Sequence, residues 1–139
     1  MHKTKSLSDN TSFALISDDY WNCIENLPDN SIKQLYIYFP NLWPKKRDWK
    51  KRFFQMDVID TLAKKLKTDA TIELKTDEYE YFLWTRILFA HKKATFQETK
   101  HCLDLHNSDI KEENYITTVF EKRWVSEGKK VFLLQYRKK

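Results

Sequence analysis

The run Leu35–Phe39 (LYIYF) is wholly apolar and aromatic and is cut off by Pro40. Its composition suits a pleated, buried surface and predicts a short strand. Proline lacks the amide donor that a strand ladder needs, so Pro40 ends the strand and Pro44 keeps the next residues out of an early helix. From Trp49 the apolar residues Phe53, Met56, Ile59, Leu62, Ala63 and Leu66 recur at helical spacing. They predict an amphipathic helix with Lys64, Lys65 and Lys67 at the end that the helix dipole favours for cations. Ala70–Leu74 reads as a second strand with Thr76-Asp77 beyond it, Glu78–Lys92 as a second long helix, and Val131–Tyr136 as the last strand. Thr95–Glu113 carries no clear period. Upstream, Asp18–Leu27 predicts a short helix with Ser17 as N-cap, and Pro28-Asp29-Asn30-Ser31 a turn. Strand, helix, strand and helix in turn imply an α/β fold with at least part of its sheet parallel. Residues 1–16 are polar and read as a poorly ordered lead-in, leaving 17–139 as one domain.

Glycine sets a second limit. Gly128 is the only one in 139 residues, against about ten in an average chain of this length. Loops that press backbone amides against a phosphate or a cofactor depend on glycine for close approach, so this chain cannot build such a loop alone. Charge is as uneven as glycine. The chain is +5 overall. Lys45–Arg52 (KKRDWKKR) alone holds six bases and one acid, which accounts for all of that excess. Charge concentrated in this way marks a polyanion site, where Trp43 and Trp49 would stack on bases while the cations meet phosphates. No apolar run approaches the roughly 18 residues of a membrane helix, and Phe13–Ile16 is too short for a signal-peptide core. A cytoplasmic setting is expected, with Cys23 and Cys102 as reduced thiols. His101, Cys102 and His106 (HCLDLH) match no ligand spacing, so no metal is expected.

In open α/β sheets ligands gather beyond the C-terminal ends of parallel strands. Three clusters map there or nearby: Phe39–Arg47, Thr76-Asp77, and Thr118–Glu121 before the last strand. In this order they resemble the C-terminal half of bacterial tRNA (guanine-N7)-methyltransferases. The family pattern FPDPWPK-x-R-H-x-K-R-R is similar to FPNLWPKKRDWKKR here, and its TD and T-x-[FY]-E elements match LKTD and TVFE. The similarity runs from about Asp18 to Arg137. It implies S-adenosylmethionine as cofactor and tRNA as partner. Carried over position by position, it implies that Lys45 contacts the substrate RNA and that Arg47, Asp48, Trp49, Lys50, Lys51 and Arg52 form the RNA-binding stretch. It further implies that Asp77, Thr118, Val119, Phe120 and Glu121 line the guanine pocket. Asp18 falls at a cofactor-contacting position, and Asn41 at that of the catalytic, cofactor-facing Asp.

The departures narrow this expectation. Asn41 stands for the family's Asp, Leu42 for its following Pro, and Asp48 for its His. In the family's reaction guanine N7, an unprotonated acceptor at neutral pH, attacks the methyl group of S-adenosylmethionine. Catalysis therefore rests on positioning and on stabilising the positive charge that develops. Asn41 keeps hydrogen bonds but not the charge, a loss on the order of 2–4 kcal/mol. The family's first three strands, with their acidic Gly-rich cofactor motif, would precede residue 18. The expected fold is thus a partial Rossmann-like methyltransferase sheet, its C-terminal strands and helices present and its first three strands missing. The expected function is that of a tRNA (guanine-N7)-methyltransferase-like chain, truncated and inactive alone, completed by a separate chain with the cofactor half or by a homodimer. The alternatives are a non-catalytic RNA-binding module and a remnant that self-associates through the open edge of Leu35–Phe39.

Overall fold

The computed structural model describes residues 19–111 and 115–139, together with the strand backbones β1 (His2–Lys5) and β2 (Ala14–Ser17). β1 and β2 pair antiparallel as a separate two-stranded sheet. This hairpin falls within the stretch read as a poorly ordered lead-in; residues 6–13 of that stretch, and Asp18, lie outside the described residues.

The main sheet has four strands in the order β3 (Ile32–Tyr38), β4 (Leu66–Thr76), β6 (Phe132–Lys138), β5 (Phe96–Cys102). β3 and β4 run parallel, with Leu35 opposite Ile72 and Tyr38 opposite Lys75. β6 is antiparallel to both β4 and β5. The crossover between the parallel strands is helix α2 (Met56–Lys65), and α3 (Tyr79–Ala90) follows β4. A parallel pair needs such a crossover, which explains why a helical period separates the two strand patterns. Two shorter helices complete the chain, α1 (Tyr20–Asn26) and α4 (Val119–Ser126).

Side-chain alternation gives the sheet two different faces. Ile72, Leu74, Leu134 and Tyr136 point toward α2 and α3 and join Val58, Ile59, Leu62, Phe82 and Phe89 in the main core. Phe89 lies flat on Tyr136 with ring centroids 4.0 Å apart, and edge-on to Phe96 at 5.2 Å. Each fully buried ring of this kind contributes about 1.5–3 kcal/mol through apolar burial. The opposite face carries Tyr36, Tyr38, Glu73, Lys75 and Gln135, with a small apolar cluster of Cys102, Leu105, Val131 and Leu133 at one end.

Several boundaries differ from expectation. The helix predicted from Trp49 starts at Met56 instead. Lys46–Lys51 is a 3-10 turn, and Arg52–Gln55 bends between it and α2 outside any helix, with Phe53 and Phe54 buried in the core. Asp19, not Ser17, caps α1, its carboxylate accepting the Trp21 amide at 2.9 Å. β4 is longer than Ala70–Leu74 because it begins where α2 ends, at Leu66. The unassigned stretch 95–113 contains β5, whose polar alternation (FQETKHC) belongs to an edge strand with one exposed face.

Candidate nucleic-acid interface

Because β3 and β4 are parallel, their C-terminal ends open on the same rim. The Phe39 amide donates to the Lys75 carbonyl at 2.8 Å, the last rung before the chain leaves the sheet. Phe39 and Trp43 then take left-handed backbone angles (φ +51° and +44°). Residues with side chains pay on the order of 1–3 kcal/mol for such conformations, which persist where the surroundings enforce them and cluster at functional sites. Between them the exposed Asn41 folds back, its Oδ1 accepting the Trp43 amide at 3.3 Å.

Lys45, Lys46, Arg47, Lys50 and Lys51 all project into solvent from the turn that follows. Lys51 contacts Asp48 at 3.2 Å and covers the Trp43 ring at 4.8 Å. Arg52 does not share this role. It is 3% exposed, its Nε donating to the Leu42 carbonyl at 2.9 Å and its Nη2 pairing with Glu80 at 3.1 Å. Its guanidinium also lies 5.1 Å from the Trp49 ring and 4.8 Å from that of Trp84. The expectation that Arg52 belongs to the RNA-binding stretch gives way to a structural one: planar, always charged and rich in donors, it staples the loop to α3. Trp49 also turns inward, donating its Nε1 to the Pro44 carbonyl at 3.3 Å and packing on Trp84 at 5.5 Å.

At the end of β4 sits a buried charge cluster that the sequence pattern did not reveal. Lys75 Nζ donates to Glu121 Oε1 at 2.8 Å, with both side chains almost wholly removed from water. Tyr115 donates to Glu121 Oε2 at 2.5 Å, and His106 Nε2 lies 3.0 Å from the same oxygen. The Lys75 ammonium is walled by the rings of Tyr38 and Tyr115, at 4.0 and 4.5 Å, and also hydrogen-bonds the Tyr115 hydroxyl. Burial alone would raise the Glu121 carboxyl. Hydrogen bonds from Lys75 and Tyr115, and the Lys75 charge, outweigh it and hold the group below the ordinary carboxylate value. Burial, followed by hydrogen bonds to Glu121 and Glu73, pushes the Tyr115 and Tyr38 phenols up. The only sequence signal was the alternation of Glu73 and Lys75 within TIELKT, which places both on the sheet face away from the helices.

This cluster brings two of the expected site elements together. Thr118 caps α4, accepting the Glu121 amide at 3.1 Å, while Glu121 reaches across to β4. Val119 and Phe120, 80% and 67% exposed, face solvent. Asp77, half-buried on the same rim, meets Lys129 at 3.5 Å, and Thr76 accepts the Glu78 amide at 3.2 Å. Asp18 lies outside the described residues. His101 pairs with Glu98 at 3.2 Å and Cys102 is buried, so HCLDLH is divided among separate contacts.

A family model described as "Putative methyltransferase" matches residues 3–134. The chain belongs to that methyltransferase family. Its curated relatives carry the name tRNA (guanine-N(7)-)-methyltransferase, the family whose motifs FPNLWPKKRDWKKR resembles. The Thermotoga maritima protein is 38% identical over 82% of this chain and 34% of its own length. The relative from Coprothermobacter proteolyticus is 30% identical over 100% of this chain and 41% of its own, and that from Mycoplasma pneumoniae 35% over 82% and 54%. The chain therefore spans about a third to a half of the curated relatives it matches. Among solved structures, an S-adenosylmethionine-dependent methyltransferase from Archaeoglobus fulgidus superposes with a TM-score of 0.54, covering 93% of this chain and 69% of that one at 11% identity. A Thermus thermophilus methylase solved with S-adenosyl-L-methionine gives 0.52 over 85% of this chain and 52% of that one, at 10% identity. These likenesses establish the Rossmann-like methyltransferase fold.

Family resemblance assigns S-adenosylmethionine as the cofactor. The described residues of this methyltransferase-family chain offer it little. Asn41 is a polar group at the right strand end, but the sole glycine lies behind α4, where its φ of +81° closes the helix. The described part of the chain does not by itself form a cofactor cradle.

Proposed function

We propose that this chain is the tRNA-holding part of a tRNA (guanine-N7)-methyltransferase and is inactive in methyl transfer on its own. The observation that carries the reading is the rim itself. Five exposed cations, Lys45, Lys46, Arg47, Lys50 and Lys51, stand on a loop that Arg52 pins beside the ends of β3 and β4. There the substrate would meet Asp77, Thr118, Val119 and Phe120, with Glu121 buried against Lys75. The cations would neutralise phosphates while the pinned loop fixes their register. Asn41, in the position of the family's carboxylate, would orient guanine by hydrogen bonding without stabilising its developing charge. A separate chain bearing the cofactor half would complete the enzyme, in the cytoplasm where tRNA is processed.

The test uses purified chain, tRNA and S-adenosylmethionine with a labelled methyl group. Salt-dependent tRNA binding without label at guanine N7 is the expected result; incorporation of label by the chain alone would overturn the claim of inactivity. Replacing Lys46, Arg47 and Lys50 with alanine should flatten the dependence of log affinity on log salt by about 2–3. An unchanged slope would remove the RNA reading. A second reading, self-association, has its own support: among the described residues, β3 pairs only on its β4 side. Sedimentation at increasing concentration separates the two readings, a monomer disfavouring the second.

A further inference from the structure

The face of the main sheet turned away from α2 and α3 is open over much of β3 and β4. A sheet face built to receive helices is apolar. This one is joined instead by polar side chains. Tyr38 donates to Glu73, Gln135 Nε2 donates to Glu73 Oε1 at 3.3 Å, and Thr99 Oγ1 donates to Gln135 Oε1 at 2.9 Å. These hydrogen bonds cross all four strands. Beside them Tyr36 and Tyr38 stand together on β3, ring centroids 5.6 Å apart, and are 51% and 43% exposed. Both line a groove of about 300 Å³, walled also by Leu105, Ile110 and Tyr115 from the chain beyond β5. Lys100 and Lys111 line the same groove and, among the described residues, belong to no ion pair.

We propose that this open sheet face binds an unpaired RNA strand, with Tyr36 and Tyr38 stacking on its bases and Lys100 and Lys111 meeting its phosphates. This binding mode rests on the RNA reading above and adds a second contact surface to it. Aromatic rings on the free face of a four-stranded sheet are a recurring platform for single-stranded RNA. Two cations in the same groove complement the backbone that links the stacked bases. The tyrosine hydroxyls are already engaged, Tyr36 with Gln34 Oε1 at 2.7 Å and Tyr38 with Glu73. The rings are therefore held before a base arrives, which lowers the ordering cost on binding. The side-chain amides of Gln34 and Gln135 line the groove as well and offer donors and acceptors to base edges. A duplex hides its base faces, so the strand bound here is unpaired. Asp77, Thr118, Val119 and Phe120 do not line the groove, so it holds a part of the RNA other than the target guanine.

The test titrates a fluorescein-labelled single-stranded RNA carrying iodouridine, and a hairpin duplex of the same base composition, onto the full chain. Tyr36→Ala should weaken the single strand at least about fivefold and the duplex less, with Tyr36→Phe retaining affinity. Lys100→Ala with Lys111→Ala should lower the single-strand salt slope by about 1.4. Irradiation of the parent complex should join iodouridine to the peptide that contains Tyr36 and Tyr38, a readout that needs no variant to fold. Half of Tyr36 is exposed, so circular dichroism is expected to show an unchanged fold for its variants. Suppose Tyr36→Ala binds like the parent and the crosslinks avoid β3, while the Lys46, Arg47 and Lys50 alanine variant is weakened. The sheet-face site is then refuted and the RNA reading stands. If the parent chain binds neither RNA, both readings fail.

Discussion

Replacing Lys75 with methionine is expected to destabilise the chain by about 3–5 kcal/mol at neutral pH, the usual cost of stranding one member of a buried ion pair. Glu121 is fully buried and its partner Lys75 is 3% exposed, so water cannot take over the role of the ammonium. Tyr115 and His106 would still meet the carboxylate, which argues for the lower half of that range. With a urea slope near 2 kcal/mol per M, the midpoint should fall by about 1.5–2 M. That is a large share of the about 5–15 kcal/mol that holds a typical domain together. The double variant Lys75→Met with Glu121→Gln removes both charges and should recover most of the loss, because a neutral pair of similar shape needs no compensation. Acidification toward the carboxylate range should narrow the gap between Lys75→Met and the parent, since a protonated Glu121 is cheaper to bury. Urea titrations of the three proteins at pH 7 and pH 5, followed by far-UV circular dichroism, read all of this. A single variant within about 1 kcal/mol of the parent, or a double variant no better than the single, would refute the assignment of this pair as a buried structural unit.

Other outcomes follow from the same geometry. Glu121 titrates below the ordinary 4.5 when folded, so its contribution is complete above that pH and is lost as pH falls below it. Tyr115 titrates above its ordinary 10.0, so its contribution is complete below pH 10 and is lost as pH rises past it; thermal melts across pH 3–11 would trace both edges. Arg52→Ala should cost about 3 kcal/mol through lost charged hydrogen bonds and ring contacts and should expose the 39–55 loop to limited proteolysis. Gly128→Ala meets no atom within 4 Å but forces alanine to φ +81°, a strain of about 1–2 kcal/mol visible as a lower Tm. On the proposed reading, in which a separate chain supplies the cofactor half, Asn41→Asp alone should leave methyl transfer undetectable in the labelled assay.

What the sequence revealed depended on how local the cause was. The run LYIYF and the period of Ile59 and Leu62 describe a strand and a helix in their own neighbourhoods, and both elements are there. β3 is not the buried strand expected, however: it lies at the sheet edge with Tyr36 and Tyr38 exposed, Phe39 has already left it, and Leu66 opens β4. The helix start did not follow. Phe53 continues a helical spacing, yet it and Phe54 lie in a bend ahead of the helix, drawn to the core by tertiary packing. β5 escaped because its polar face hid a strand on an edge. The basic loop was legible as charge, but not the division of labour within it: nothing in KKRDWKKR says that five cations point out while Arg52 points in. Lys75 and Glu121 lie 46 residues apart, and no short-range pattern links them. Thr118 caps α4. Glu121, however, turns to Lys75 instead of back to its own helix.

Among the residues of α4, Glu121 alone is buried, whereas α2 buries Val58, Ile59 and Leu62 and α3 buries Tyr81, Phe82, Thr85 and Phe89. α4 is thus docked by the Glu121 charge cluster and one ring contact, Trp124 on Phe39, and the other two by buried apolar side chains. In hydrogen-exchange terms two populations of amides are expected: those of α2 and α3 opening with the whole sheet, and those of α4 opening when Glu121 and Trp124 release it. The turn that would face a bound guanine therefore belongs to the most readily released helix of the three, and a ligand that closes over it would be read most clearly as slowed exchange along Val119–Ser126.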